Sequence, residues 1–376
     1  MPTAAHVMSP AGFHGQHAMG AAGRGPYFEG WYVKLVSADQ RTRVALIPGM
    51  FRSQDGAVSE SFVQVLDGAT GTTRYHRLEL SELRADAGRF DVHVGTSRFA
   101  ATGAVVDLPG LRADVRFGPL RPWPVSLAAP GAMGWYAWVP TMECYHGVVS
   151  MDHRLSGWID LGAGRVDLDG GRGYLEKDWG SAFPTAYVWM QSNHFAVPGA
   201  SLMASTALIP WRRSAFRGDL VGLALPEGPA AGLTRLTTYT GARTRELVVS
   251  DGSVGWVVDG RDGRRLELQA VTRGRATGLL HAPVRTQMHR RVAETLDAEV
   301  AVRLSDRTGR TLFEGTGTSA GVEVHGPMDR LLSTPTKQWE GWTALVRTWA
   351  AGGGRLTPRR GRKAPEKANR RVHGQG

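Results

Sequence analysis

The stretch from Gly173 to Phe195 combines carboxyl groups with large apolar side chains more densely than any other part of the 376-residue chain. Glu176 and Asp178 are two positions apart, so a β-strand would place both carboxyls on one face. Burial between apolar walls disfavours the charged form of a carboxyl group, which makes it a usable acid near neutral pH. We therefore predict that Glu176 or Asp178 donates a proton to the double bond of a substrate.

Aromatic and amide side chains alternate in the second half of this stretch. Tyr187, Trp189, Gln191 and Asn193 would share one face of a strand. Protonation of an alkene leaves a tertiary cation, which needs π faces nearby and the exclusion of bulk water. Tyr187 and Trp189 would flank the cation, and the two amides would orient the phenol that traps it. The alternative is a structural strand whose amides satisfy buried backbone groups and whose acids meet solvent or arginine.

A third acid, Glu29, lies near the start of the chain. In PYFEGWYVKLVS it alternates with Tyr27 and Trp31, so the three side chains would share a strand face. The pattern Tyr-x-Glu with a following Trp recurs 147 residues later and ends at Trp179, which suggests two related halves. We predict that Glu29 is an alternative acid or a proton relay. The predicted substrate-binding aromatic residues in these two segments are Tyr27, Trp31 and Trp179.

Signals for other catalytic classes are weak. Histidines occur singly and without paired spacing, so we predict no metal site. Cys144 is the sole cysteine and lies in an apolar run, which favours a core position over a nucleophile. The run 317–321 has the spacing of a hydrolase nucleophile turn, but a strand pattern follows it where a helix is needed. With neither a GxGxxG motif nor a P-loop, we expect no cofactor.

The net charge of +11 is concentrated near the C-terminus. Residues 355–371 contain eight Lys and Arg against Glu366 alone, a net +7 that leaves +4 for the rest of the chain. No zinc spacing, recognition helix or aromatic ribonucleoprotein motif accompanies this charge, so we expect no specific nucleic-acid binding. The opening residues lack the pattern of a signal peptide, which predicts a cytoplasmic protein.

The segment PTKQWEGWTALVRTWA predicts an amphipathic helix with Trp339, Trp342 and Trp349 on its apolar stripe. Such a helix can pack across a barrel. With the basic tail directly after it, it also matches a peripheral contact with anionic lipid, where Trp lies at headgroup depth. No apolar run approaches the roughly 18 residues that a membrane-spanning helix needs.

The rest of the chain predicts an all-β fold. Short alternating segments such as LRADVRFG recur at about ten-residue spacing between Asp-Gly turn signals, which is typical of an antiparallel barrel or sandwich. Residues 118–140 break this pattern with five prolines and three tryptophans. We expect this segment to be a long packed loop or short helical insert that closes a site.

These residues resemble the tocopherol cyclase family. The resemblance spans about residues 25–326 and is carried by YFEGWY at 27–32, SFVQV at 61–65, YHGVVS at 145–150, and GYLEKDWGSAFP followed by WMQSNHF. It implies two lipocalin-like β-barrel halves, akin to carotenoid hydratases. It also implies an isomerase-type enzyme, an intramolecular lyase that cyclises a prenylated quinol or similar isoprenoid or polyketide to a chromanol-type ring, with no cofactor.

We accordingly expect five segments. They are a flexible arm at 1–24, a first lipocalin-like domain at 25–168, a second at 169–330, an amphipathic helix at 331–350 and a disordered basic tail at 351–376. The alternative function is that of a non-enzymatic, lipocalin-like carrier of a hydrophobic small molecule, in which the same strands merely line a cavity.

Overall fold

The computed structural model describes residues 4–15, 25–211 and 214–336, and most of their regular structure is antiparallel β-sheet. The first sheet contains β1 (Tyr27–Val36), β2 (Arg43–Arg52), β3 (Ser59–Asp67), β4 (Thr72–Glu79), β5 (Leu83–Ala85), β6 (Asp91–Val94), β7 (Ser97–Ala100), β8 (Gly103–Leu108), β9 (Leu111–Phe117), β10 (Cys144–Asp160), β11 (Arg165–Asp167) and β12 (Arg172–Gly180). The second contains β13 (Tyr187–Ser192), β14 (Ser201–Trp211), β15 (Ser214–Leu225), β16 (Gly232–Thr237), β17 (Arg243–Ser250), β18 (Ser253–Asp259), β19 (Arg265–Val271), β20 (Gly278–Val284), β21 (Gln287–Ser305) and β22 (Thr311–His325). The helices are α1 (Ala4–Val7) and α2 (Met328–Ser333), with 3₁₀ turns at Leu80–Glu82, Gly134–Trp138 and Thr238–Thr240.

The two sheets share one strand order. β1 has β2, β3 and β4 on one side and β12, β10 and β9 on the other, just as β13 has β14, β15 and β16 on one side and β22, β21 and β19 on the other. β12 is therefore the last strand of the first sheet, and the chain changes sheet between Gly180 and Tyr187 rather than after residue 168. The recurring Tyr-x-Glu pattern lies on neighbouring strands of one sheet and does not open the second half.

Each sheet curls around its own apolar core. In the first sheet, Val65 of β3 and Val94 of β6 pack in one cluster although their strands are far apart in the sheet order. In the second, Leu223 of β15 and Trp256 of β18 do the same. On β9 the predicted alternation is present, with Leu111 and its alternate neighbours buried and the residues between them exposed. The all-β prediction with two lipocalin-like halves is confirmed.

A third apolar cluster lies between the two sheets. It contains Tyr32 and Tyr174 of the first sheet together with Trp189, Met203 and Leu296 of the second. Strands β1, β12 and β13 are consequently covered on both faces, and their residues are buried almost without interruption. This double coverage explains why successive residues of these strands are buried and not only alternate ones, including charged residues such as Glu176 and Lys177.

The long segment before β10 packs over the second sheet, as the proline-rich sequence predicts for a closing loop. Trp123 is 1% exposed. Its ring lies so close to Gly222 of β15 that a Cβ there would approach it to 2.2 Å. Met133 and Tyr136, in and beside the 3₁₀ turn of this segment, are also buried. The segment thus covers one side of the space between the sheets.

The described part of the N-terminal arm is packed, contrary to the expected flexible arm. The backbone N–H of Phe13 donates to the carbonyl of Asp86 at 2.8 Å, and the indole of Trp31 donates to the carbonyl of Ala11 at 3.0 Å. Phe13 itself is 4% exposed and joins the first core.

At the other end, α2 is the last described helix and buries Leu331. The predicted helix beyond it, with Trp339, Trp342 and Trp349, and the basic tail lie outside the described residues. No helix in the described part of the chain is long and apolar enough to cross a membrane.

Candidate active site

A cavity of about 170 Å³ lies between the two sheets. Most of its lining is apolar, and the polar exceptions gather on a few strands. Its lining includes Phe28, Gly30, Tyr32, Met133, Tyr136, Met142, His146, Glu176, Asp178, Phe183, Tyr187, Trp189 and Glu323.

Two of the three predicted acids reach this cavity on the same face of β12. Glu176 is directly opposite Tyr32 of β1, and Asp178 is directly opposite Gly30 of β1 and His146 of β10. Because residues opposite each other on antiparallel strands share a face, the register carries all of these groups to one wall. The alternation predicted for this strand is therefore present.

An imidazole ring joins the two acids. Nδ1 of His146 is 2.9 Å from Oδ1 of Asp178, and its Nε2 is 3.5 Å from Oε2 of Glu176. Burial alone would lower the pKa of His146, but the charges of Asp178 and Glu176 outweigh it and raise that pKa to about 9. At neutral pH the ring is an imidazolium between two carboxyl groups.

Glu176 is the most enclosed member of this triad. It is 4% exposed, and its Oε2 accepts hydrogen bonds from the hydroxyl of Tyr174 at 2.5 Å and the indole of Trp189 at 3.2 Å. Burial raises the pKa of Glu176 to about 7, with the charge of Asp178 adding to this effect and the imidazolium of His146 opposing it. Near neutral pH, Glu176 is thus protonated in a large fraction of the molecules.

The triad is also the group in the described residues whose spacing would suit a metal ion. Its ligand atoms, from His146, Glu176 and Asp178, all lie within 4.8 Å of one another. Both ring nitrogens, however, face carboxyl oxygens, whereas a metal-bound histidine directs one nitrogen to the ion and donates from the other. The arrangement fits an imidazolium between two carboxyl groups better than it fits a ligand of a metal ion.

The wall opposite the acids is aromatic, as predicted for Tyr187 and Trp189. The ring of Trp189 lies edge-to-face with Tyr32, with ring centroids 5.4 Å apart, and Tyr187 lies edge-to-face with Phe183 at 6.1 Å. Both β13 residues line the cavity. Such π faces favour a positive charge that develops between them.

Glu323 of β22 is a cavity residue that the sequence analysis missed. It is directly opposite Trp189 and accepts a hydrogen bond from the hydroxyl of Tyr187 at 2.7 Å. Burial and the charge of Glu294 raise its pKa well above the ordinary value for a glutamate. In the sequence it is an acid between Val322 and Val324, a pattern indistinguishable from a solvent-facing position until the second sheet packs on the first.

Gln191 and Asn193 do not line the cavity. The amide oxygen of Gln191 accepts from Nζ of Lys34 at 2.9 Å, and Asn193 donates to Asp152 at 3.1 Å and to the carbonyl of Gly173 at 2.9 Å. The cause is distance along the chain, since successive residues of a strand advance about 3.3 Å and these two lie beyond Trp189. Their contacts match the structural alternative for the amides.

Glu29 lies on the opposite face of the first sheet, together with the aromatic residues predicted to share its face. It is opposite Trp179 in the ladder, and its carboxylate is 2.6 Å from Nζ of Lys177 and 2.6 Å from the hydroxyl of Tyr27. The backbone N–H of His14 also donates to it, at 2.9 Å.

Trp31 and Trp179 also pack on this far face. Trp179 stacks on the ring of His14 with centroids 4.4 Å apart, and the Lys177 ammonium lies over both indoles. The reason is that side chains alternate between the two faces of a strand. Those of residues 27, 29, 31 and 179 lie on the face away from the cavity, whereas those of residues 32, 176 and 178 lie on the cavity face. The structure therefore does not bring Glu29, Tyr27, Trp31 or Trp179 to the cavity.

Taken together, the cavity pairs an enclosed proton-holding carboxyl group with facing aromatic rings. The acid is enclosed by apolar walls, Nδ1 of His146 is hydrogen-bonded to Asp178, and Nε2 of the same ring is 3.5 Å from Glu176. This combination suits acid catalysis on an apolar substrate.

Comparison with known proteins gives a consistent result. A family model described as tocopherol cyclase-like matches residues 93–326. A chloroplastic tocopherol cyclase of Zea mays is 24% identical over 207 residues, which cover 51% of this chain and 41% of that protein. A protein of Oryza sativa subsp. japonica named as a probable tocopherol cyclase is 22% identical over 223 residues, covering 55% of this chain and 45% of the other. The matched region is thus less than half the length of these relatives.

Among solved structures, the crystal structure of CghA is similar in fold. The TM-score is 0.50 with 13% sequence identity, and the match covers 80% of this chain and 88% of that one. At this identity the similarity concerns the fold alone.

Proposed function

Because the chain belongs to the tocopherol cyclase-like family, we propose that it is an enzyme that cyclises a hydrophobic substrate by proton transfer, with no cofactor. The substrate class that fits is a prenylated quinol, and the product is a chromanol, so the reaction is an intramolecular cyclisation. The observation that carries this proposal is the enclosed carboxyl group of Glu176, which accepts a hydrogen bond from Trp189 and lines a largely apolar cavity.

The proposed reaction moves one proton and forms one bond. Glu176 donates its proton to the less substituted carbon of the prenyl double bond nearest the ring, which leaves a tertiary cation on the other carbon. Tyr187 and Trp189 flank that cation, because both line the cavity and an aromatic face attracts positive charge. The phenol oxygen then bonds to the cation and loses its own proton, so the substrate and product are isomers.

Asp178 and His146 support the acid without touching the reacting carbon. The Asp178 charge raises the pKa of Glu176, whereas the His146 imidazolium lowers it, and the hydrogen bond between the two residues fixes the ring. This balance holds Glu176 near the pH at which it both carries a proton and can release it. The imidazolium also compensates the carboxylate that Glu176 becomes after proton transfer.

The buried acids favour an enzyme over a simple carrier. A container for an apolar molecule gains nothing from enclosed carboxyl groups, whose desolvation opposes folding. Here the described cavity lining includes Asp178 and two carboxyl groups whose pKa values burial raises, Glu176 of β12 and Glu323 of β22. Groups with strongly shifted pKa values in one cavity are typical of active sites.

The test is turnover of a geranylgeranyl or phytyl quinol in D₂O by the purified protein. We expect a chromanol with one deuterium on the carbon next to the new ether carbon, and loss of turnover in Glu176→Gln and in Asp178→Asn. Asp114→Asn, on the solvent-exposed face of β9, is the matched control and should keep wild-type activity. Undiminished turnover in both cavity variants contradicts the assignment, and stoichiometric retention of unchanged quinol by the wild type favours a carrier.

A further inference from the structure

Two glutamates of the second sheet face each other beside the cavity. Glu294 of β21 and Glu323 of β22 are directly opposite in the antiparallel ladder, so their side chains share a face. Glu294 is 0% exposed, and Glu323 lines the cavity. Like charges at opposite positions of neighbouring strands destabilise a sheet, so this pair needs an explanation.

Hydroxyl groups donate hydrogen bonds to the pair, whereas the nearby cation Lys34 acts on Glu294 through its charge and not through a hydrogen bond. The hydroxyl of Tyr32 donates to Oε1 of Glu294, and the hydroxyl of Tyr187 donates to Oε2 of Glu323. Among the described residues, no group hydrogen-bonds to Oε2 of Glu294. Nζ of Lys34, the nearby cation of β1, donates instead to Gln191 and to the carbonyl of Ser319.

Two carboxyl groups in this setting cannot both be ionised. Loss of the second proton would place two negative charges side by side where Glu294 is fully buried and Glu323 faces the largely apolar cavity, so one proton remains with the pair near neutral pH. The pair is also close enough to the first sheet for the charge of Glu176 to act on both of its members. The cavity therefore has a second set of groups that exchange protons, on the sheet opposite the triad.

We propose that Glu294 and Glu323 share one proton and form the base of the cyclisation, with Glu323 taking the proton of the attacking hydroxyl while Glu176 protonates the double bond. This inference rests on the proposed function. Trp189 lies between Glu176 and Glu323, since its indole donates to Glu176 and its backbone is paired with that of Glu323. Acid and base thus flank the position at which the ring closes.

The proton count balances over one turnover. The substrate carbon gains the proton of Glu176, and a C–O bond forms as the hydroxyl proton passes to the carboxylate of the pair. The pair then holds two protons and Glu176 holds none. When the product leaves, the pair releases one proton to water and Glu176 takes one from water, which restores the starting state.

The first measurement is infrared spectroscopy of the unliganded protein at pH 7. We expect a carbonyl stretching band of protonated carboxylic acid that weakens in Glu323→Gln and in Glu294→Gln. Glutamine keeps an oxygen that can accept the tyrosine hydroxyl, so both variants should fold. Glu60→Gln is the matched control, because Glu60 is also a buried glutamate bonded to a tyrosine, Tyr75 at 2.5 Å, but is paired with Arg77 at 2.6 Å.

The second measurement is turnover of the prenylated quinol. We expect Glu323→Gln to lower kcat by about 10²–10⁴-fold with little change in KM, since an amide cannot take the hydroxyl proton. Glu60→Gln should keep the wild-type kcat.

The outcomes separate this inference from the function on which it rests. A band that is unchanged in both pair variants overturns the shared proton, and a wild-type kcat in Glu323→Gln overturns the role as base. Failure of the wild type to convert any prenylated quinol counts against the proposed function alone, because the infrared measurement needs no substrate.

Discussion

Tyr32 lies directly opposite Glu176 in the ladder between β1 and β12. This register decides which side chains of the first sheet meet the second sheet, because residues in step with these two face the second sheet and residues out of step face the first core. Glu29 is at an odd-numbered position of β1 and therefore points to the opposite face from Tyr32. Its carboxylate pairs there with Lys177. Whether a carboxyl group of this sheet faces the cavity or enters a structural ion pair thus depends on whether it occupies an even or an odd position of its strand.

The pH dependence of turnover should report the protonation of Glu176. Its pKa is raised to about 7, so the donor form predominates below pH 7 and is lost as the pH rises through that value. We expect kcat to fall on the alkaline side of about pH 7. The His146→Gln variant should move this limb to higher pH, because the imidazolium charge lowers the Glu176 pKa. A limb that stays in place in this variant would contradict the assignment of Glu176 as donor.

Replacement of Trp189 should separate its ring from its N–H group. Trp189→Phe keeps an aromatic face, whereas Trp189→Leu removes it. A desolvated cation–π contact is worth about 2 kcal/mol, so kcat should fall by roughly 30-fold in the leucine variant beyond any loss in the phenylalanine variant. Single-turnover kinetics on both proteins would measure the difference, and equal rates would exclude a cation-stabilising role for the ring.

The ion pair behind β12 should matter for stability and not for chemistry. Lys177→Met leaves the fully buried carboxylate of Glu29 unpaired, and we expect a loss of about 3–5 kcal/mol in the free energy of unfolding, measured with urea. The double variant Glu29→Gln with Lys177→Met should recover much of this loss. Turnover per folded molecule of the double variant should stay near wild type, and an inactive double variant would restore Glu29 as a candidate acid.

Acid should weaken the same ion pair. Burial would raise the pKa of Glu29, but Lys177 and His14 together outweigh it and lower that pKa from 4.5 to about 2. The native state therefore holds the carboxylate charged where the unfolded chain would be protonated, so this stability is present above pH 4.5 and is lost as the pH falls toward 2. Urea titrations across this range should show a steeper decline for the wild type than for the double variant.

Chelators should leave turnover intact. Both nitrogens of His146 face carboxyl oxygens, so the triad works as a proton-holding group, and dialysis against EDTA should not lower kcat. Added Zn²⁺ should inhibit, because the triad atoms are close enough to bind it at the expense of the Glu176 proton. Loss of activity on chelation, restored by metal, would instead identify a metal-dependent enzyme.

The sequence was most informative where a rule acts within one strand. Alternation placed Glu176 with Asp178 and Tyr187 with Trp189 correctly, since side chains of a strand alternate without reference to its neighbours. It also predicted the all-β class and the packed segment around Trp123. These features depend on local pattern, and the structure preserves them.

What the sequence could not supply was the pairing between strands. The opposition of Tyr32 to Glu176 and of Glu323 to Glu294 joins segments that are distant along the chain. His146 stood in a family-like motif, but its role became visible only when β10 paired with β12. The amides of Gln191 and Asn193 lie beyond Trp189, too far along the chain to reach the cavity, a distance that alternation does not encode.

The origin of the cavity wall has a practical consequence for engineering. The triad comes from β10 and β12 of the first sheet, whereas Met133, Tyr136 and Met142 come from the segment that lies over the second sheet. A library of variants at these three positions would reshape the chamber while leaving the acid and its hydrogen bonds untouched. Selectivity for chain length and ring substituents could then be redesigned separately from the catalytic step.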